Sequence, residues 1–244
     1  GGINTTVNSL YSTEDLIHQF TDSKAKYLLT IPAFLDRALP AAKACGIEEI
    51  FIFGEAPEGT TPFVDLLANE GNAPSVEIDP QKDLVALPYS SGTTGLSKGV
   101  MLTHANLIAN MVISAELNTT DDTDCTVGVL PFFHIYGMVL ILNLAIYRGT
   151  KLVTMPRFDL EQFLQIVQEH KVTVLSLVPP IIIALAKHPI VDNYDVSSVR
   201  TIGSGAAPLG EELEQACAAR LGCEIYQGFG LTEVAGASHV NSAL

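Results

Sequence analysis

Ser90-Ser91-Gly92-Thr93-Thr94-Gly95-Leu96-Ser97-Lys98-Gly99 gathers hydroxyls, glycines and a single lysine into one short stretch. The glycines let the backbone turn its N–H groups toward a common point, which makes an anion-binding concavity. Ser90, Ser91, Thr93, Thr94 and Ser97 add hydroxyl donors, and Lys98 adds a cation. This is equipment for a polyphosphate. It is not the Walker arrangement, because the lysine does not stand in a Gly-Lys-Ser/Thr run opening a helix. A flexible Gly/Ser/Thr linker is the competing reading. Apolar runs on both sides, Leu84-Val85-Ala86-Leu87 and Val100-Met101-Leu102, argue for a loop held between two strands.

Three further stretches have chemical potential. Gly203-Ser204-Gly205-Ala206-Ala207-Pro208-Leu209 is a turn of small residues, against which a flat ring can lie. Close packing of the next helix explains it equally well. In Gln227-Gly228-Phe229-Gly230-Leu231-Thr232-Glu233, an aromatic ring between glycines can stack on a purine. Thr232 can bond a phosphate, and Glu233 can ligate Mg²⁺. A strand-end turn with a helix-capping threonine is the alternative. Pro131-Phe132-Phe133-His134-Ile135-Tyr136-Gly137 sets a histidine and a tyrosine two apart, and a lone histidine in an apolar run is more often structural. His18, His104, His170, His188 and His239 receive no role, and Glu211, Glu212 and Glu214 read as a solvated first helical turn. No His/Cys/Asp set has zinc-ligand spacing.

The elements that must position these residues alternate. Ser12 caps a helix whose inner face is Leu16, Ile17 and Phe20. Residues 27–31 read as a short buried strand, and Pro32 starts a helix ending near Gly46. Residues 50–53 form the next strand, and Thr61-Pro62 opens a third helix, followed by a loop over 72–79. After the hydroxyl-rich loop, Thr103 caps a helix with Leu107, Ile108, Met111, Val112 and Ala115 on one face. Strands follow at 126–130, 151–155, 172–178, 199–202 and 224–226. Helices lie at 138–147 (buried), from Asp159 with Leu160, Phe163, Leu164 and Val167 inward, from Pro179 to Lys187, and from Glu211 to Leu221. The alternation predicts an α/β fold of mostly parallel sheets flanked by helices. Ligands in such folds gather beyond the carboxyl ends of strands. The four stretches follow Leu87, Leu130, Ile202 and Tyr226, at such ends.

The chain has 244 residues and 48% apolar composition, enough for a large buried core. Its net charge of −14 argues against nucleic acid or an anionic membrane surface as partner. A nucleotide must then be met locally, by N–H groups, Lys98 and a divalent cation. Cys45, Cys125, Cys217 and Cys223 form no Cys-x-x-Cys pair and read as reduced cysteines of a cytoplasmic protein. The most apolar segment, 138–147, falls short of the roughly 20 residues that span a bilayer.

Ser90 to Gly99 resembles the phosphate loop of the adenylate-forming acyl-CoA synthetase superfamily, and the resemblance runs through the whole chain. The 203–209 turn resembles that family's Ser-Gly-Ala-Ala-Pro-Leu-Gly stretch, and 227–233 its Gln-Gly-Tyr-Gly-Met-Thr-Glu motif, with Phe229 in place of the tyrosine. The 131–136 stretch resembles Pro-Met-Phe-His-Ile-Tyr of the 4-coumarate–CoA ligases, and Pro156-Arg157-Phe158 is also similar to that branch. The resemblance implies an ATP-dependent acid–thiol ligase that uses ATP, Mg²⁺ and coenzyme A. It makes an acyl-AMP from an aromatic, hydroxycinnamate-like acid and then the thioester. A medium- or long-chain acyl-CoA synthetase or a luciferase-like enzyme is the alternative.

By the same resemblance, the catalytic residues are Lys98, Thr232 and Glu233, with Glu233 holding Mg²⁺ and Thr232 on the α-phosphate. ATP is met by Ser90, Ser91, Gly92, Thr93, Thr94, Gly95 and Lys98, by Gly205, Ala206 and Ala207, and by Gln227, Gly228, Phe229, Gly230 and Thr232. The acid is met by His134, Tyr136, Ser204, Gly205, Ala206 and Gly228. Gly203 stands where relatives often carry a longer side chain such as lysine. The chain corresponds to a partial N-terminal AMP-binding domain, with a leading unit over 1–82 and the motif-bearing part over 83–244. Family enzymes are about twice this length. A ribose-binding aspartate and a C-terminal lid with its lysine are therefore expected outside these residues. The isolated chain is expected to bind rather than turn over, and to self-associate through open sheet edges.

Overall fold

The computed structural model describes residues 1–68, 71, 74–90, 96–117 and 120–241. Contacts divide the chain into Gly1–Thr103 and His104–Leu244, so the stretch 83–103 packs with the leading unit.

In the leading unit, α1 (Thr13–Ser23) begins at Ser12, whose hydroxyl accepts from the Asp15 N–H while the Asp15 carboxylate accepts from the Ser12 N–H. This reciprocal box satisfies two N–H groups that a helix start leaves unpaired. Leu16 and Phe20 are buried as expected. β1 (Tyr27–Thr30) follows, then α2 (Leu35–Cys45), entered through a 3-10 turn at Pro32–Phe34 and ended by left-handed Gly46. β2 (Glu49–Ile52) pairs parallel with β1 and with β3 (Thr61–Pro62), which leads into the short α3 (Phe63–Leu67). β1 is not buried as anticipated. It is the edge of a three-stranded sheet, with Tyr27 and Leu29 exposed on one face. β4 (Leu84–Ala86) pairs antiparallel with β7 (Leu102–Thr103), and β5 (Tyr89–Ser90) with β6 (Lys98–Gly99).

The second unit opens with α4 (His104–Leu117), whose face is looser than the periodicity predicts: Ala115 is buried, but Ile108 is 52% exposed. Six strands follow. They are β8 (Cys125–Gly128), β9 (Lys151–Thr154), β10 (Val174–Leu177), β11 (Thr201–Ser204), β12 (Glu224–Leu231) and β13 (Gly236–Val240). Their spatial order is β13-β12-β11-β10-β8-β9, and all neighbours pair parallel except β12 with β13. Interleaved are α5 (Leu144–Arg148), α6 (Leu160–His170), α7 (Pro179–Lys187) and α8 (Glu211–Leu221). Asp159 caps α6 by accepting from the Gln162 N–H at 2.9 Å. Phe163, Leu164 and Val167 turn inward and, with Leu175, Ile182 and Ile202, centre the core. Each such side chain contributes roughly 1.5–3 kcal/mol by leaving water. β8 and β10 are buried along their whole length, as strands covered on both faces are.

Two expectations are corrected. The apolar helix at 138–147 is a π-helix over Tyr136–Asn143 continuing into α5, and its far end is open, with Ile146 71% exposed. The Gln227–Glu233 motif is not a turn after a short strand. The strand runs on to Leu231, because glycine at 230 lets β13 lie directly against it. Among the described residues no helix is long and apolar enough to cross a membrane.

Candidate active site

In the leading unit, β5 and β6 hold the two ends of the hydroxyl-rich loop in register, with Ser90 opposite Lys98 and Tyr89 opposite Gly99. Two ties fix this hairpin to α1. The Tyr89 hydroxyl donates to the Asp22 carboxylate at 2.5 Å, and His18 Nε2 bonds the Ser97 carbonyl at 2.9 Å. Burial, with the Asp22 carboxylate alongside, pushes the Tyr89 phenol well above its ordinary value. Lys98 is exposed and half-buried Ser90 faces it across the hairpin. Ser91, Gly92, Thr93, Thr94 and Gly95 lie outside the described residues. Gln19, which sequence reasoning passed over, is fully buried and donates to Thr5 Oγ1 at 2.8 Å and the Thr6 carbonyl at 3.0 Å. The Thr5 hydroxyl in turn bonds the Leu87 carbonyl at the loop's entry.

In the second unit, the parallel register sets Ser176, Gly203 and Tyr226 side by side on β10, β11 and β12. Their neighbours Leu175, Ile202 and Ile225 join the core on the opposite face. Above the row lies an open apolar cavity. Tyr136, Leu140 and Leu144 of the helical segment form its second wall, and Gly228, Phe229 and Gly230 line it from β12. Gly205 is required here, because a Cβ would come within 2.7 Å of the Tyr136 ring. The Tyr136 hydroxyl reaches the Gly203 carbonyl at 3.3 Å and the Leu177 carbonyl at 3.4 Å. Desolvation and the nearby Tyr226 phenol hold Tyr136 protonated far above its ordinary value.

His134 lies at the rim and remains exposed by surface area, yet enough protein surrounds its ring for desolvation to hold it below 6.5. Its Nδ1 accepts from the Tyr136 N–H at 3.2 Å, which only a neutral ring nitrogen can do. Ser204 is 2% exposed, and its hydroxyl has no hydrogen-bond partner among the described residues. Ala206 takes a left-handed φ of 69° that turns the chain out of β11. Ala207 follows it at the surface.

The side chain of Gln227 grips the 205–209 turn. Its Oε1 accepts from the Leu209 N–H, and its Nε2 donates to the Leu209 carbonyl and to Glu214 Oε2 at 2.6 Å. Glu214 is therefore not the solvated residue expected of its cluster, because α8 starts against this turn. Asn110 of α4 braces β13: its Nδ2 donates to the Val234 and Ala237 carbonyls, and its Oδ1 accepts from the Ala237 N–H. A single amide in the apolar run 107–115 was the only signal for it. Thr232 is buried in a 3-10 turn, and Glu233 beside it is exposed. Among the described residues no three His, Cys, Asp or Glu side chains cluster to hold a metal. One exposed carboxylate fits Mg²⁺, which is commonly bound by one or two carboxylates together with substrate phosphates and water.

The second unit carries an apolar slot over a glycine-bearing strand end, and the leading unit carries a hydroxyl- and lysine-bearing hairpin. The chain belongs to the AMP-binding enzyme family, which matches residues 1–243. It is 42% identical over 239 residues to 4-coumarate–CoA ligase 1 of Solanum tuberosum, covering 96% of this chain and 44% of that ligase. Among solved structures, it is similar to a red-emitting luciferase from Phrixothrix hirtus, with TM-score 0.86, 28% identity, and coverage of 96% of this chain and 47% of the luciferase. It is also similar to ATP-bound MatB from Rhodopseudomonas palustris, with TM-score 0.85, 27% identity, and coverage of 99% and 47%. The chain thus spans about half the length of the relatives it matches.

Proposed function

We propose that this chain carries the nucleotide- and acid-binding part of an ATP-dependent acid–thiol ligase acting on aromatic, hydroxycinnamate-like acids. The observation that carries the reading is the apolar slot floored by the Tyr226 and Tyr136 rings, which pack over Gly203 and Gly205. Such a floor suits a flat ring, and the 42% identity to a 4-coumarate–CoA ligase supports the same class of acid.

In the reaction, a carboxylate oxygen of the acid attacks the α-phosphorus of ATP. The bond to the bridging oxygen breaks, and pyrophosphate leaves. The thiol sulfur of coenzyme A then attacks the acyl carbon, AMP departs, and the thiol proton passes to solvent. No side chain of the protein becomes covalently attached. The work of the chain is to position the reactants and neutralise charge. In the leading unit, Lys98, Ser90 and the hydroxyl-rich loop they flank meet phosphate oxygens. In the second unit, Gly205, Ala206 and Ala207 and the strand from Gln227 to Gly230 meet the adenylate, with Thr232 donating to its phosphate. His134, Tyr136, Ser204 and Gly228 meet the acid. Glu233 would hold Mg²⁺, which neutralises phosphate charge when bound. Gln227 contributes by holding the turn that presents Ala206. The protein acts in the cytoplasm.

The test is isothermal titration of the chain with AMP, with 4-coumarate, and with N-(4-coumaroyl)sulfamoyl adenosine, a stable mimic of the acyl-adenylate. The mimic should bind at least about a hundredfold more tightly than either half, as intermediate analogues do. Equal binding of the mimic and AMP would leave the acid without a site here and refute the reading.

A further inference from the structure

Across the sheet floor of the cavity, the row Ser176–Gly203–Tyr226 contains one large side chain. A Cβ placed on Gly203 would meet Tyr226 Oη at 2.7 Å and Cζ at 2.8 Å. The Tyr226 ring therefore lies across the strand and fills the volume that a side chain at 203 would take. The Tyr136 ring does the same over Gly205, with closest approach 2.7 Å. The two phenols are close enough for Tyr226 to shift the titration of Tyr136. Apart from Val240 of β13 and Phe229, which is 58% exposed, the other sheet-borne lining residues are glycine, alanine or serine.

From this geometry we propose that Tyr226 is a specificity-determining residue. Its ring takes the space over Gly203 that would otherwise admit a long alkyl chain or a second ring, so the slot accepts acids with the bulk of a single aryl group. The inference rests on the acid-binding reading of this cavity and adds what limits its size. The effect is steric: the hydroxyl is dispensable and the ring is not. Tight cores do not open cheaply for added volume, so an acid too large for the slot is rejected rather than accommodated.

The experiment titrates the 244-residue chain with sulfamoyl adenosines that share one adenosine half and differ in their acyl half: cinnamoyl, 4-phenylcinnamoyl and dodecanoyl. The wild type should favour cinnamoyl over each larger group by about tenfold or more, within the range that pocket misfit produces. Tyr226→Phe should keep that ratio. Tyr226→Gly should move it toward dodecanoyl by about tenfold or more. Circular dichroism checks that each variant folds, and if Tyr226→Gly does not, Tyr226→Leu, which keeps an apolar side chain but removes the ring, is read in its place. A wild-type profile that rises unbroken to dodecanoyl overturns the proposal, as does a Tyr226→Gly ratio equal to wild type. If AMP binds but no acyl half adds affinity, the acid-site reading itself fails, which is a different result from a shared but unselective acid site.

Discussion

Gly228 and Gly230 sit two apart on β12 and face the same partner strand, yet a methyl group should have opposite consequences at the two positions. At Gly228 an added Cβ finds the His239 carbonyl oxygen at 3.7 Å and Val240 Cγ2 at 3.8 Å, which is ordinary contact. At Gly230 it would lie 2.2 Å from the Gly236 carbonyl oxygen and 2.9 Å from its carbon. Carbon–oxygen approach between strands stops near about 3.3 Å, so β13 must retreat by roughly 1 Å. That carries neighbouring N–H···O distances from about 2.9 Å past the limit of about 3.2 Å. Two ladder bonds lost at about 1 kcal/mol each, with strain added, give roughly 2–3 kcal/mol. Against this, Ala in place of Gly lowers unfolded-chain entropy and stabilises by about 0.4–1 kcal/mol at either site. Neither glycine has a left-handed φ, so backbone strain does not separate them. Gly228→Ala should therefore be neutral to about 1 kcal/mol more stable, and Gly230→Ala about 2 kcal/mol less stable. Urea unfolding followed by circular dichroism reads the difference as a midpoint shift near 1 M. Equal midpoints would refute the claim that β13 lies flush on the motif.

Asp124 is 5% exposed and bonds Arg200 Nη2 at 2.6 Å and the Thr173 hydroxyl at 2.6 Å. Asp124→Asn should cost about 2 kcal/mol, less than a fully buried pair because Arg200 is partly solvated, and urea titration measures it. Burial opposes ionisation of Asp124, but the Arg200 and Thr173 bonds outweigh it and hold the carboxyl below 3.8. Its contribution is therefore present above pH 3.8 and lost as pH falls through the lower folded value, which thermal melts across acid pH should follow. The His134 imidazole should titrate below 6.5 in an NMR pH series, so its neutral-state contribution is complete above 6.5 and lost as pH falls; a value at or above 6.5 contradicts the Tyr136 N–H contact. Glu233→Gln should weaken the Mg²⁺ dependence of ATP binding while leaving the unfolding free energy within about 0.5 kcal/mol of wild type, because the side chain is exposed.

Local chemistry made much of the fold legible. Pro179–Lys187 and Glu211–Leu221 have the bounds their proline start, acidic first turn and apolar spacing indicate. The Asp159 cap and the inward Phe163, Leu164 and Val167 were equally plain, because a helix period and a cap are properties of adjacent residues. What depends on partners was hidden. β13 was missed because its pairing rests on what Gly230 lacks. The edge exposure of β1 and the service of Glu214 to Gln227 follow from neighbours far along the chain. At the site, the motifs marked the residues around the slot. Tyr226 was passed over as the last residue of a strand, because only the cross-strand register reveals that it stands over Gly203.

The central claim is that the slot over Gly203 and Gly205 receives the acyl-adenylate. Amide chemical-shift mapping of the isotopically labelled chain with N-(4-coumaroyl)sulfamoyl adenosine tests it most directly. The claim predicts that, within His104–Leu244, the largest shifts fall on 203–206, on 226–230 and on Tyr136, and saturate together at one affinity. Saturable shifts centred on other residues of that unit, with 203–206 and 226–230 unmoved, would contradict it.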